Sequence, residues 1–227
     1  MLVERRQIVA PGDLLAEGEY AAGENTYKEN YKVYAKKLGI ADFDGKTVYV
    51  VALKGKYVPL VGDLVVGMVI DVGLNGWSVE INAPYHANLS VNDVLGKSFG
   101  PKVEALTNIL RLGDIVVAKV AAFDRTRDPS LSIRGPDLGQ VGEGLVIDLT
   151  PSKIPRLIGK KGSMIGMLKQ ESGCDIVVGQ NGKILIRGNQ PKMIELVIKA
   201  VDMIERESHT SGLTDRIKAM MEQGKKV

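Results

Sequence analysis

The residues best placed to do chemistry lie at Gly159-Lys160-Lys161-Gly162, a Gly-x-x-Gly step with two lysines inside it. Glycine lacks a Cβ, so two of them three residues apart let the backbone approach another polymer closely. The helical pattern that follows, from Ser163 to Ser172, begins with N–H groups that have no partner inside the helix and favour an anion. Lys160 and Lys161 add positive charge at the same point. The combination suits the sugar-phosphate chain of a nucleic acid. A Gly-x-x-Gly pair alone is weak evidence, because most such pairs are ordinary turns, so the elements around it must decide.

Those elements form a consistent series. Leu145 to Leu149 reads as a short strand, and Ile154-Pro155-Arg156-Leu157-Ile158 as an apolar helical turn before the step. Met164, Ile165, Met167 and Leu168 suit a helix that Gly173 ends. Cys174 to Val178 and Lys183 to Arg187 read as strands joined by Gly179-Gln180-Asn181-Gly182, where Asn-Gly predicts a tight hairpin with φ > 0 at both residues. A last helix carries Ile194, Val197, Ile198, Val201 and Ile204 on one face. This order of elements resembles a type I KH domain throughout, and the resemblance implies that Gly159, Lys160, Lys161 and Gly162 clamp a single nucleic-acid strand.

Residues 58–135 predict a second module. Leu64 to Val72 is apolar and β-branched, and Trp77, Val79 and Ile81 alternate with Ser78, Glu80 and Asn82 as in a half-buried strand. A short helix is expected near Glu104 to Leu110, then a strand from Ile115 to Phe123 and a last one at Leu131-Ser132-Ile133-Arg134. Several short strands with a helical insertion suggest a five-stranded OB-type barrel. The segments Gly67 to Val72, Gly76-Trp77-Ser78-Val79 and Leu131-Ser132-Ile133 resemble an S1 RNA-binding domain. Alignment to that family puts Asn75 and Ser78 where it displays aromatics and Ser90 where it has a histidine; Trp77 falls in the inward register. Loss of the stacking platform removes about 1–3 kcal/mol per base. What remains is charge, at Lys97, Lys102, Arg111, Lys119, Arg125 and Arg127, with Arg125-Thr126-Arg127 in a loop that OB folds use for ligands.

Residues 1–57 predict a small β-rich domain with a clear strand from Thr47 to Leu53. Tyr27, Lys28, Tyr31, Tyr34, Lys36 and Lys37 interleave aromatics with charge. They suit base stacking, but Tyr31, Val33 and Ala35 also alternate as on a strand with a buried face, so core or interface packing is the competing reading. A tail, residues 208–227, has helical character; its Leu213, Ile217, Met220 and Met221 suit packing on the KH-like module or on a neighbour. The sequence thus predicts a multidomain chain, mainly β with a C-terminal α/β module.

Composition excludes more than it assigns. Net charge is only +3 over 227 residues, so any basic surface must be local. No apolar run approaches bilayer length, and the first residues lack the apolar core of a secretion signal. A single cysteine, Cys174, reads as a core residue in a reducing cytoplasm. His86 and His209 have no partner at metal-ligand spacing, and there is neither a nucleophile motif nor a phosphate-binding Gly-Lys-Ser/Thr loop. No cofactor, metal or catalytic residue is expected.

The series of a small β domain, an S1-like barrel and one KH domain, with the link from Gly55 to Val69, resembles the RNA-binding cap subunit of the archaeal exosome over residues 7 to about 206. The resemblance implies a non-catalytic protein. Residues 1–57 would dock, in three copies, on a hexameric ring of RNase PH-like subunits that degrades RNA 3′ to 5′ by phosphorolysis. The barrels would surround the pore and guide single-stranded, A-rich 3′ tails into it. A transcription-elongation factor of the NusA type, which normally has two KH domains, and a ribosome-associated RNA-binding protein are the alternatives.

Overall fold

The computed structural model describes all residues except 54–55, 97–105, 125, 208–209, 211 and 227. It divides into two compact units, residues 1–55 and 56–227.

In the first unit, β1 (Ile8–Val9), β6 (Gly39–Asp44), β7 (Thr47–Ala52) and β3 (Ala21–Ala22) form one sheet in that order. A second sheet has the order β2 (Leu14–Glu17), β5 (Lys32–Ala35), β4 (Thr26–Glu29). Small and β-branched side chains fill the core: Val9, Leu15, Ala16, Val33, Ala35, Ala41, Val48 and Val50. Tyr31 corrects the alternation expected from the sequence. Val33 and Ala35 are fully buried, but Tyr31 is 72% exposed. The chain reverses at Asn30 and Tyr31, both with positive φ, so the inward-outward parity does not carry across the turn.

The second unit opens with β8 (Leu64–Val72), β9 (Gly76–Glu80) and β10 (Ala87–Ser90), followed by the helix α1 (Val91–Leu95), β11 (Ile115–Ala122) and β12 (Ser130–Ser132). Strand β12 pairs with both β10 and β11, which closes a five-stranded barrel of the S1/OB type. Closure leaves these strands no free edge. Trp77 is 2% exposed, and its indole N–H donates to the Leu110 carbonyl at 3.0 Å, so it is core as its register predicts. Of the short helix expected near Glu104 to Leu110, Glu104 and Ala105 lie outside the described residues; Leu106 to Leu110 make a single turn, with Leu106 and Leu110 buried in the barrel.

One turn recurs three times, at Pro11-Gly12-Asp13, Val61-Gly62-Asp63 and Leu112-Gly113-Asp114. Each aspartate carboxylate accepts the N–H three residues back: Ala10 at 2.7 Å, Leu60 at 3.1 Å and Arg111 at 2.8 Å. Each glycine has φ near 90°, which a side chain resists. Asp63 also accepts the Tyr57 hydroxyl at 2.7 Å; burial, then this bond, pushes the phenol's pKa up.

The KH part has an antiparallel sheet of β14 (Leu145–Asp148), β16 (Lys183–Arg187) and β15 (Asp175–Val178), in that spatial order. Helices α2 (Ile154–Ile158), α3 (Ser163–Ser172) and α4 (Pro191–Glu207) cover one face. A further helix, α5 (Leu213–Lys226), decides the question left by the tail: Leu213, Ile217 and Met221 are fully buried in the KH core.

Sequence reasoning missed what happens on the other face of that sheet. Leu185 and the partly buried Val146 and Val177 pack on Val66 and Val117 of the barrel, with Leu64, Ile115, Leu138 and Val141 around them. An added strand, β13 (Gly139–Val141), pairs with β11 beside this seam. Barrel and KH domain therefore share an apolar layer inside one compact unit.

Candidate nucleic-acid interface

The Gly-x-x-Gly step is held from both sides. Helix α2 stops at Gly159, whose N–H returns to the Pro155 carbonyl at 2.9 Å. Gly159 has φ +75°, and a Cβ there would sit 2.7 Å from the Met164 nitrogen. Gly162 is left-handed at φ +79°, and α3 then begins with no side-chain cap. Lys161 is also left-handed, at φ +55°, which turns the two lysines outward. Both are exposed, and neither makes an ion pair among the described residues. The step thus combines a positive helix end with two exposed ammonium groups that make no ion pair among the described residues.

Its support is a polar joint beneath α2. The Glu205 carboxylate of α4 accepts the Thr150 N–H at 3.0 Å and hydroxyl at 2.7 Å, and pairs with the Lys153 ammonium at 2.7 Å. Burial pushes this carboxyl up, but Lys153 and Thr150 more than offset that and hold its pKa below the ordinary value. The helices and the step lie on the KH face opposite the barrel, because Leu157 and Met164 belong to the helical core while Val177 and Leu185 face β8 and β11.

The turn 179–182 fixes that arrangement. Asn181 is fully buried, although asparagine in a hairpin turn is ordinarily exposed. Its amide donates to the carbonyls of Val66 at 2.7 Å and Ile81 at 3.0 Å, and accepts the Val66 N–H at 3.3 Å. Beyond the end of β9 the side chain stands where a strand partner of Val66 would be. The Gln180 N–H donates to the Leu64 carbonyl at 2.8 Å, and Asn82 donates to the Asn181 carbonyl at 2.8 Å. The turn expected at 179–182 forms between β15 and β16, but only Gly182 of the Asn-Gly pair has positive φ; Asn181 is not left-handed, and its side chain is held on β8 instead. The Asn-Gly signal located the turn but gave no sign of the insertion, because the same dipeptide serves a free hairpin.

Of the cationic residues expected on the barrel, the described ones are Arg111, Lys119 and Arg127, spread along and beyond β11. Arg111 precedes the eight-residue strand β11 and Arg127 follows it, so they flank its opposite ends. Lys119 points outward from β11 between them, opposite Ser132. All three are exposed. Lys97, Lys102 and Arg125 lie outside the described residues. Ser78 faces outward, as aligned, while Ser90 accepts the Asp93 N–H at 3.2 Å as the N-cap of α1. Tyr85 and Phe123 are the aromatic pair of the barrel's other end, with ring centroids 5.3 Å apart. No three His, Cys, Asp or Glu residues gather as a metal site among the described residues, and no described helix is long and apolar enough to cross a membrane.

Comparison with known proteins gives the same three modules. Residues 6–54 match the N-terminal domain of the exosome RNA-binding protein RRP4, residues 56–100 the RRP4 S1 domain, and residues 144–192 a KH domain. The exosome complex component Rrp4 of Thermofilum pendens is 41% identical over 224 residues, covering 97% of this chain and 94% of the relative. That of Pyrococcus furiosus is 41% identical over 97% of this chain and 84% of its own, and that of Nitrosopumilus maritimus 37% over 98% of each. A crystal structure provisionally described as an exosome complex RNA-binding protein superimposes with a TM-score of 0.71 at 40% identity, covering 76% of this chain and 98% of that one. These relatives are exosome components rather than elongation factors, and at this identity over nearly the whole length the chain belongs to the Rrp4 family of exosome complex components.

Proposed function

We propose that this chain is a non-catalytic, RNA-binding cap subunit of an exosome. The observation that carries the reading is the exposed, unpaired Lys160–Lys161 step, set on a single S1–KH block in a chain of the Rrp4 family. In this reading residues 1–57 dock on a hexameric ring of RNase PH-like subunits, three caps to a ring. Residues 58–135 and 136–207 hold single-stranded RNA, and residues 208–227 brace the KH domain. Gly159, Lys160, Lys161 and Gly162 contact the RNA backbone; Arg111, Lys119 and Arg127, together with Lys97, Lys102 and Arg125, guide the strand by charge. A cytoplasmic location accompanies this role.

The arrangement of the cations supports guiding rather than tight capture. Arg111, Lys119 and Arg127 run along β11 instead of forming a pocket, and charge of this kind positions a backbone without reading its bases. Three such weak sites around one pore raise the effective concentration of a bound strand without any new contact. In this reading the guided strand is a single-stranded, A-rich 3′ tail. The test is light scattering of the chain mixed with a hexameric phosphorolytic ring, followed by degradation of a tailed RNA. A stable complex of three caps per ring that speeds degradation is expected; a chain that stays monomeric beside the ring refutes the reading.

A further inference from the structure

The barrel keeps an exposed aromatic pair at the edge of a face that is otherwise small and polar. Tyr85, in the loop between β9 and β10, is 37% exposed. Its ring centroid lies 5.3 Å from that of Phe123, with the two planes tilted by 57°. Phe123 follows β11 and also lines a groove with Val58 and Leu60, so solvent reaches that ring as well. The loop that carries Tyr85 is pinned where it leaves β9. The Ile81 carbonyl accepts the Asn181 amide at 3.0 Å, and the Asn82 amide donates to the Asn181 carbonyl at 2.8 Å. An aromatic surface on a fixed loop is pre-organised for a flat ligand.

The strands beside the pair offer free hydrogen-bonding groups. Ser78 stands opposite Asn88, and Asn88 opposite Ser130, so the three form one outward row across β9, β10 and β12. The aromatic pair adjoins this row, because Ser130 pairs with Ala122, the neighbour of Phe123, and the Asn88 N–H donates to the Pro129 carbonyl at 2.7 Å. None of the three side chains makes a hydrogen bond among the described residues. Asparagine is depleted in strands, yet Asn88 sits within one, exposed and with nothing inside the fold to bond. Charge does not choose the ligand here. Asp124, Arg125, Arg127 and Asp128 balance in sign, and the Asp124 carboxylate turns back to accept the Thr126 N–H at 3.0 Å and hydroxyl at 2.7 Å. Neutral donors and acceptors beside an aromatic surface match one nucleotide of a single strand, whose base stacks while its edge and 2′-hydroxyl take hydrogen bonds.

We infer that Tyr85, backed by Phe123, is a base-stacking platform of the barrel, and that Ser78, Asn88 and Ser130 bond the edge and ribose of the nucleotide stacked there. This rests on the reading that the chain binds single-stranded RNA. The platform lies in the loop between the strands rather than at positions 75, 78 or 90, where the S1 resemblance expects the stacking and histidine side chains. Serine at 78 leaves the face low enough for a strand to lie against it.

The test compares two labelled strands on the full chain by fluorescence anisotropy: a short oligoadenylate and the same backbone with abasic sites. The unaltered chain should prefer the strand that carries bases. Tyr85→Leu, which keeps an apolar cover over Phe123, should weaken oligoadenylate about fivefold or more, the low end of what one stacked base contributes. The abasic strand and the salt slope should not change, because phosphate contacts are untouched. Tyr85→Trp should keep the affinity, and Asn88→Val should lower it with the thermal midpoint level or raised. Oligoadenylate affinity unchanged in Tyr85→Leu would overturn the proposal. So would an equal loss on both strands with a lowered midpoint, which would make Tyr85 a packing residue. Unaltered RNA binding with weaker assembly on the phosphorolytic ring would overturn it too, and make the pair a protein contact. Failure of the unaltered chain to bind either strand would instead remove the RNA-binding reading itself.

Discussion

Replacing Asn181 by alanine should uncouple the barrel from the KH domain. The amide makes three buried hydrogen bonds, to the Val66 carbonyl at 2.7 Å, the Ile81 carbonyl at 3.0 Å and the Val66 N–H at 3.3 Å. Alanine removes all three and leaves the Val66 N–H buried without an acceptor. A buried group left unsatisfied costs about 1–3 kcal/mol, and carbonyls tolerate it better than N–H groups. One orphaned N–H and two under-satisfied carbonyls then sum to about 3–5 kcal/mol, a large part of the 5–15 kcal/mol typical of a folded protein. Two probes report the two sides independently. Trp77, the one tryptophan of the chain, sits in the barrel, whereas α2 to α5 dominate the helical signal from the KH side. In urea the unaltered protein should lose tryptophan fluorescence and helical circular dichroism together in the 56–227 unit. Asn181→Ala should lower the midpoint and split the two transitions. Asn181→Asp should do at least as much, because a carboxylate cannot donate to either carbonyl. A loss below about 1 kcal/mol with coincident transitions would refute the reasoning.

Charge reversal of the step, Lys160→Glu with Lys161→Glu, should weaken single-stranded RNA of every sequence and reduce the salt slope of log affinity by about 1.4, at about 0.7 per phosphate contact; an unchanged slope would mean that the turn does not touch RNA. Ile217→Ala, in the fully buried face of α5, should cost about 2–4 kcal/mol by denaturant titration, and a negligible cost would mean the tail does not pack on the KH core in solution. Glu205 ties α4 to Thr150 and Lys153, and its folded pKa is depressed, so its contribution is present above its unfolded value and is lost as pH falls through the folded one. Stability should therefore decline below the ordinary glutamate value of 4.5, and Glu205→Gln should flatten that acid limb. Equal acid limbs in the two proteins would remove Glu205 from the account.

Much of the fold was legible because its signals are local. Helix α3 runs from Ser163 to Ser172 and stops at Gly173, as the periodicity and the glycine predict, and Trp77 points inward because alternation along one strand fixes its side. The Gly-x-x-Gly step needed only adjacent residues to be recognised. Tyr31 shows where such reasoning ends: parity within a strand cannot foresee that the chain reverses at that residue.

Sequence by itself determined the three modules, their order and the basic step, because hydrophobic period, turn chemistry and a short motif are written within about ten residues of one another. Only the tertiary structure decided how the modules act together. Asn181 is paired with Val66, 115 positions away, and Leu185, Val66 and Val117 come from three separate strands. The tail helix had an apolar face in either setting; the KH core supplied the surface that buries it. Contacts between distant segments depend on which faces remain uncovered once each module has folded, and that remainder is set by packing in three dimensions rather than by any local pattern.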